Sequence, residues 1–278
     1  MNPSGTVPGN SDWSVNWPLV PEADRDLFES ATSLLTAPKQ QVTLDRRSGV
    51  SRLSAGAIYY VKTFQARGSR LKHAFGISRF QRELRNLDLF NTLGLNTPAL
   101  VAHGQWSRLG LWQGSVLVTR EVADARDLGE ILEAGDFYRD GVSGARAILD
   151  ELARATRAMH LAGFHHRDLK PRNVLLRRED SGPALYFFDC PSGHRPPGFM
   201  WRRCMLRDLA HLEEGLHGHL RSVDMLYLLK RYRDRDILSA EDKTLAREVL
   251  RYQANRSSTR RRRRREREKQ AQRSVSAR

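Results

Sequence analysis

The pattern of apolar residues changes character once along this chain, near Glu121, and that change limits the folds open to it. Before it, apolar and β-branched residues come in short runs: QVTL (41–44), VSRL (50–53), AIYYVKTF (57–64), then ALVAHGQW and SVLVTREV (115–122) beyond the break at Thr97-Pro98. Runs of this length, bounded by Gly, Pro, Asp and Ser, read as five short strands of an antiparallel sheet. Ile77, Phe80, Leu84 and Leu87 advance by three, four and three residues instead, which predicts one helix from Ile77 to Phe90. After Glu121 the helical period dominates. DLGEIL lies near 127–132, and a longer helix runs from Ala145 to Ala162 with Ile148, Leu152, Ala155 and Met159 as its stripe; Gly163 suits a left-handed cap at its end. A small hairpin, VLL and ALYFF across RREDSGP, follows, and Met205 to Gln253 is again helical in period. The expectation is an α+β fold in two lobes, a five-stranded antiparallel sheet with one helix followed by a mainly helical part.

The boundaries that follow are an N-terminal extension over 1–38, a sheet lobe over 39–121, a helical lobe over 122–255 and a tail over 256–278. The tail holds eleven basic and two acidic residues, a net +9 of the chain's +15. Such a run repels itself and has no apolar face to bury, so it is expected to be disordered. No apolar stretch approaches a membrane span, and MNPSGTVPGNSDW lacks the basic and then apolar plan of a signal sequence, so a cytoplasmic location is expected. Cys190 and Cys204 are too few for a disulfide framework or a cysteine-rich zinc site and read as reduced structural thiols.

The stretch HHRDLKPRNVLLRREDSGPALYFFDC, His165 to Cys190, carries the chemistry. A short loop between a helix and an apolar strand presents a carboxylate and, five residues on, a side-chain amide. HRDLKPRN (166–173) matches the catalytic loop of protein kinases at each signature position, and the lobe order agrees; the chain resembles the protein-kinase-like superfamily. The resemblance implies ATP and Mg²⁺ as cofactors. It gives Asp168 the task of orienting the acceptor hydroxyl and taking its proton, Lys170 that of neutralising the transferred phosphoryl group, and Asn173 that of a Mg²⁺ ligand. Asp189, after ALYFF, stands where kinases keep the metal-binding aspartate of Asp-Phe-Gly. Here the triplet is Asp-Cys-Pro, which implies a fixed ligand and no flipping switch.

Lys62 sits in an otherwise apolar strand, YYVKTF, where an unpaired ammonium is costly to bury. It needs a carboxylate and an anion. The resemblance supplies Glu83 on the following helix, expected to flank that helix's buried face, and the α/β-phosphates of ATP. Glu121 would mark the hinge that meets adenine, although its side chain reads equally well as a solvated linker acid. The turn LDRRSGVSRL holds one glycine, Gly49, in place of G-x-G-x-x-G. The phosphates are then held more loosely, or by side chains of Arg46, Arg47 and Ser48.

No Ala-Pro-Glu follows Asp189, and Asp208 comes soon after it, so the platform on which protein kinases lay a peptide is not evident. AGFHHRDL, YYVKTF, FQRELRNLDLFNTLGLNTPALVAHG, VTRE, RDLAHL and LLKRYRDRDILSAEDKTLAREVL are similar to the bacterial lipopolysaccharide core sugar kinases, of the 3-deoxy-D-manno-octulosonic acid kinase and heptose kinase type. That resemblance implies an acceptor hydroxyl on a lipid A-core lipopolysaccharide intermediate, and peripheral contact with the anionic inner membrane at its cytoplasmic face. It makes Asp208, in a helix opened by Arg207-Asp208-Leu209, a brace for the catalytic loop. Arg79, Arg82, Arg85, Arg195, Arg202 and Arg203 would meet acidic groups of the acceptor or stay as solvated charges. LKPRN is nearer to Ser/Thr protein kinases and keeps a protein acceptor as the alternative. A nucleic-acid-associated protein using the basic tail is another, and a kinase of cationic antibiotics is disfavoured by the basic surroundings.

Overall fold

The computed structural model describes residues 11–44, 48–65, 78–108, 111–256 and 258. The chain forms two compact units, Met1–Ala125 with Tyr186–Pro191, and Arg126–Leu185 with Ser192–Arg278.

The first unit is built on one antiparallel sheet. Its strands are β1 (Ser11–Val15), β2 (Gln40–Leu44), β3 (Ser48–Ser54), β4 (Ile58–Gln65), β5 (Leu100–Arg108) and β6 (Leu111–Arg120), in the spatial order β1-β5-β6-β4-β3-β2. The five predicted strands are present, and β1 is a sixth. SDWSV is too polar to show as a run, but backbone pairing with β5, from Ser11 opposite Trp106 to Val15 opposite Ala102, needs no apolar pattern. Gly104 permits the approach, since a Cβ there would come within 2.8 Å of the Asp12 carbonyl and the Trp13 ring.

Each face of the sheet has its own cover. On one, Tyr59, Val61, Val101, Val116 and Val118 pack with Val20, Phe28 and Leu34 from the segment before β2, which includes α1 (Arg25–Phe28) and α2 (Ala31–Thr36). Buried Asp24 fixes that segment by accepting from the Gly56 and Ala57 amides at 2.6 and 2.9 Å and from the Tyr59 hydroxyl at 2.7 Å. Burial beside this carboxylate pushes the Tyr59 phenol well up. On the other face α3 (Arg79–Thr92) brings Phe80 and Leu87 onto Phe64 and Leu117. Ser78 caps α3 reciprocally with Gln81. Ile77 lies outside the described residues, as do Arg46 and Arg47.

In the second unit, α4 (Leu128–Glu133) and α5 (Gly141–Leu161) precede the catalytic stretch. The predicted stripe of α5 is fully buried, and Gly163 at φ 70° ends the helix as expected. Strands β7 (Arg126–Asp127), β8 (Val174–Glu179) and β9 (Gly182–Phe187) form a small sheet. Then come α6 (Gly198–Leu216), α7 (Ser222–Arg233) and α8 over 240–256. One expectation is corrected here: Arg207, Asp208 and Leu209 do not open their helix but lie in the middle of α6, because Pro197 fixes the entry and GFMWRRCM already continues the turn. Cys190 and Cys204 are buried free thiols. Among the described residues no helix is long and apolar enough to cross a membrane. The Arg-rich tail beyond Ser258 lies outside the described residues.

Candidate active site

In the first unit, β4 runs between β3 and β6 with Lys62 opposite Val50 and Leu117. Its side chain points to the face covered by α3, where Glu83 waits on the buried side of that helix and not merely on its flank; Glu83 is 4% exposed. Lys62 Nζ donates to Glu83 Oε1 and Oε2 at 2.6 and 2.7 Å and to Asp189 Oδ1 at 2.6 Å. Burial alone would strip the ammonium of its proton, but the two carboxylates outweigh it and hold Lys62 above the usual lysine range. One cation thus faces two carboxyl groups, of which enclosed Glu83 is pushed up by burial against the pull of Lys62. Asp189 is the more open of the two acids, with 43% of its side chain exposed, and it adopts φ 54°. Asp tolerates this left-handed backbone better than most residues. The next residue is tied down, since Asn86 Nδ2 of α3 donates to the buried Cys190 carbonyl at 2.6 Å.

Glu121 does not join this group. Its amide donates to Ile58 O at 2.9 Å, and its carboxylate lies 3.5 Å from both Arg52 and the Tyr60 hydroxyl.

In the second unit, the catalytic loop is held from beneath by α6. Fully buried Asp208 accepts from the amides of His166 and Arg167 at 2.7 and 2.6 Å, and Arg167 is fixed at φ 65°. His160 and His165 lie against the same carboxylate, 3.5 and 3.9 Å away, with Tyr232 on His160 at 2.8 Å and the Trp201 ring on His165. Burial holds the His165 ring down at about 4, hence neutral. The oxygens of Asp208 are engaged by backbone donors, so the cluster acts as a brace, as expected for Asp208.

Above the brace, Asp168 Oδ1 accepts from Lys170 Nζ at 2.6 Å, and Asn173 Nδ2 donates to the Asp168 carbonyl at 2.8 Å. Burial pushes the Asp168 carboxyl up, but the hydrogen bond and charge of Lys170, with the histidines His211 and His166 nearby, together outweigh it and hold the group below the usual carboxylate range. The structure thus brings Asp168, Lys170 and Asn173 together in one unit, and Lys62, Glu83 and Asp189 in the other. Sequence reasoning missed His211, three residues beyond Asp208 on α6. It is fully buried, and its Nδ1 stands 3.5 Å from Asp168 Oδ1. The signal was available: a histidine on the same buried helix stripe as Asp208.

Of the basic residues set against an acidic acceptor, Arg202 pairs with Glu248 at 2.6 Å and Arg195 donates to the Ala162 carbonyl at 3.2 Å. Asp189 and the start of α6 are joined by residues 190–197 alone.

Residues 37–232 match the lipopolysaccharide kinase (Kdo/WaaP) family. The chain belongs to that family. Its members are kinases of lipopolysaccharide sugars, which makes this chain an ATP-using lipopolysaccharide core kinase. Among solved structures it is similar to WaaP in complex with acyl carrier protein, with a TM-score of 0.64 and 19% identity over 89% of this chain and 98% of that one. At that identity the likeness speaks for the fold, which is protein-kinase-like as expected.

Proposed function

We propose that this kinase transfers the γ-phosphoryl group of ATP, with Mg²⁺, to a sugar hydroxyl of a lipid-linked lipopolysaccharide core intermediate at the cytoplasmic face of the inner membrane. The observation that carries the donor side is Lys62 held charged between Glu83 and Asp189, an arrangement whose open Asp189 carboxylate suits a metal ion and whose ammonium suits a phosphate. Asp189 and Asn173 offer the hard oxygens that Mg²⁺ prefers. The ion, when bound, neutralises charge that develops on the phosphates. Lys62 then binds the α/β-phosphates, with Glu83 setting its direction, and Asp168 orients the acceptor hydroxyl and accepts its proton. Lys170 balances charge beside Asp168, and Glu121 lies at the end of the strand that would meet adenine. The tie between Asn86 and Cys190 supports a metal ligand with no flipping switch.

The eight residues from Cys190 to Pro197 are too few for a peptide platform, which favours a sugar over a protein acceptor. The net +9 of residues 256–278 suits an anionic membrane surface. A nucleic-acid role for the tail predicts instead that RNA displaces the protein from vesicles.

Mass spectrometry of lipopolysaccharide core from cells lacking the gene tests the acceptor: one phosphate is to disappear, and an unchanged core refutes the reading. Transfer to purified core is to stop in excess chelator and return with Mg²⁺. Full activity in chelator removes Asp189 and Asn173 from the metal.

A further inference from the structure

We propose that His211 is a positioning residue for the base, an enclosed imidazole that stands against Asp168 and keeps its carboxylate aimed. The inference rests on the reading of Asp168 as the acceptor's base.

The geometry begins with α6. Asp208 fixes the backbone of the catalytic loop, and His211, three residues further along the same helix, reaches the loop's functional side chain. One helix therefore holds both the loop and the base. His211 is wholly enclosed, and neither of its ring nitrogens has a hydrogen-bond partner among the described residues. A buried imidazole left so is costly, which argues that it has a partner in the working enzyme. Asp168 Oδ1 is within reach, and a shift of a few tenths of an ångström makes an N–H···O bond from Nδ1 at 3.5 Å.

The surroundings decide which protonation state serves. Asp168 and Lys170 face the ring from the loop, Arg207 from α6 itself and Arg256 from α8; burial first and then the three cations oppose a proton on it, against Asp168 alone in favour. The ring is held down at about 3 and stays neutral in the physiological range. A charged imidazolium would pin Asp168 in a second ion pair and blunt its basicity, whereas a neutral ring donates one hydrogen bond and takes no proton. Lys170 holds Oδ1 at 2.6 Å and the His211 ring faces the same oxygen at 3.5 Å, which leaves Oδ2 for the acceptor. In the transfer, the acceptor O–H breaks and its proton goes to Asp168. The sugar oxygen forms the new bond to phosphorus, the bond from the γ-phosphorus to the bridging oxygen breaks, and its electron pair stays on the β-phosphate oxygen of ADP. Asp168 then returns its proton to solvent.

The test uses the full chain, labelled ATP and deacylated core oligosaccharide. His211→Leu is expected to lower kcat by roughly 10-fold or more with the KM for ATP unmoved, and His211→Asn, which keeps a donor, to recover most of it. Leu within about two-fold of wild type overturns the proposal, as does an Asn variant that melts like wild type yet is no better than Leu. Nitrogen NMR of labelled histidines needs no variant of His211: its ring is to remain neutral down to acid and to shift in Asp168→Asn. A ring that titrates near the ordinary histidine value refutes the assignment. Failure here is separable from failure of the functional reading. If Asp168→Asn is fully active, the base itself is wrong; if Asp168→Asn is dead while His211→Leu is normal, only the positioning role falls.

Discussion

The two charged groups of this kinase are built in opposite ways. Lys62, Glu83 and Asp189 come from a central strand, a helix and the segment just after β9, a span of 127 residues between Lys62 and Asp189. Asp168, Lys170 and Asn173 lie within six consecutive residues and are set in place by one helix below them. The first group is assembled by tertiary packing and holds its cation by mutual charge. The second is a local shape that needs a foundation. Damage to the first should therefore spread among its members, whereas damage to the second should divide cleanly between chemistry and support.

Four experiments test that contrast. Asp168→Asn is to lower turnover by roughly 10² to 10⁴ while nucleotide binding stays near wild type, because it removes the proposed proton acceptor and leaves the other group intact. Binding titrations beside single-turnover rates check it, and turnover within a few-fold of wild type removes Asp168 from its role. Asp208→Ala strikes the foundation. Two amides, that of buried His166 and that of half-buried Arg167, lose their acceptor, at about 1–3 kcal/mol each, so denaturant melts should show a loss of about 2–6 kcal/mol. A loss below about 1 kcal/mol would mean that the loop holds its own shape. Lys62→Ala and Glu83→Ala, by contrast, should not add: the double variant is to lose about as much kcat/KM as the worse single, a coupling of about 1–3 kcal/mol. Effects that multiply would show two independent residues. Smallest for catalysis is removal of residues 257–278, which should leave turnover on soluble acceptor unchanged while abolishing sedimentation with anionic vesicles at moderate salt. Arg256 must be spared. Its side chain is 21% exposed, lies 3.8 Å from Glu214 and acts on His211, so it belongs to the fold although the sequence counts it with the tail.

What could be read from the sequence follows the same division. The catalytic loop was legible because its residues are contiguous, and Lys62 because a cation inside YYVKTF has to be explained. Glu83 was found, but its full burial was not foreseen, since a carboxylate on a helix ordinarily stays at the edge of the apolar stripe. Strand β1 left no trace: backbone hydrogen bonds with β5 make it, and Ser, Asp and Trp in alternation do not announce them. His211 was hidden for a different reason. In RDLAHL it looks like one more residue of an amphipathic helix, and only the fold of the loop onto α6 shows what it faces.

The bond from Asn86 to the Cys190 carbonyl has a consequence for control. It fastens the segment that carries Asp189 to the helix that carries Glu83, so the two acids on Lys62 travel as one body. Kinases that are switched on and off use the independence of these two parts. In this chain an inactive position of the aspartate would have to drag α3 with it, against Phe80 and Leu87 packed on the sheet. Moving one acid of the pair therefore costs the packing of the other.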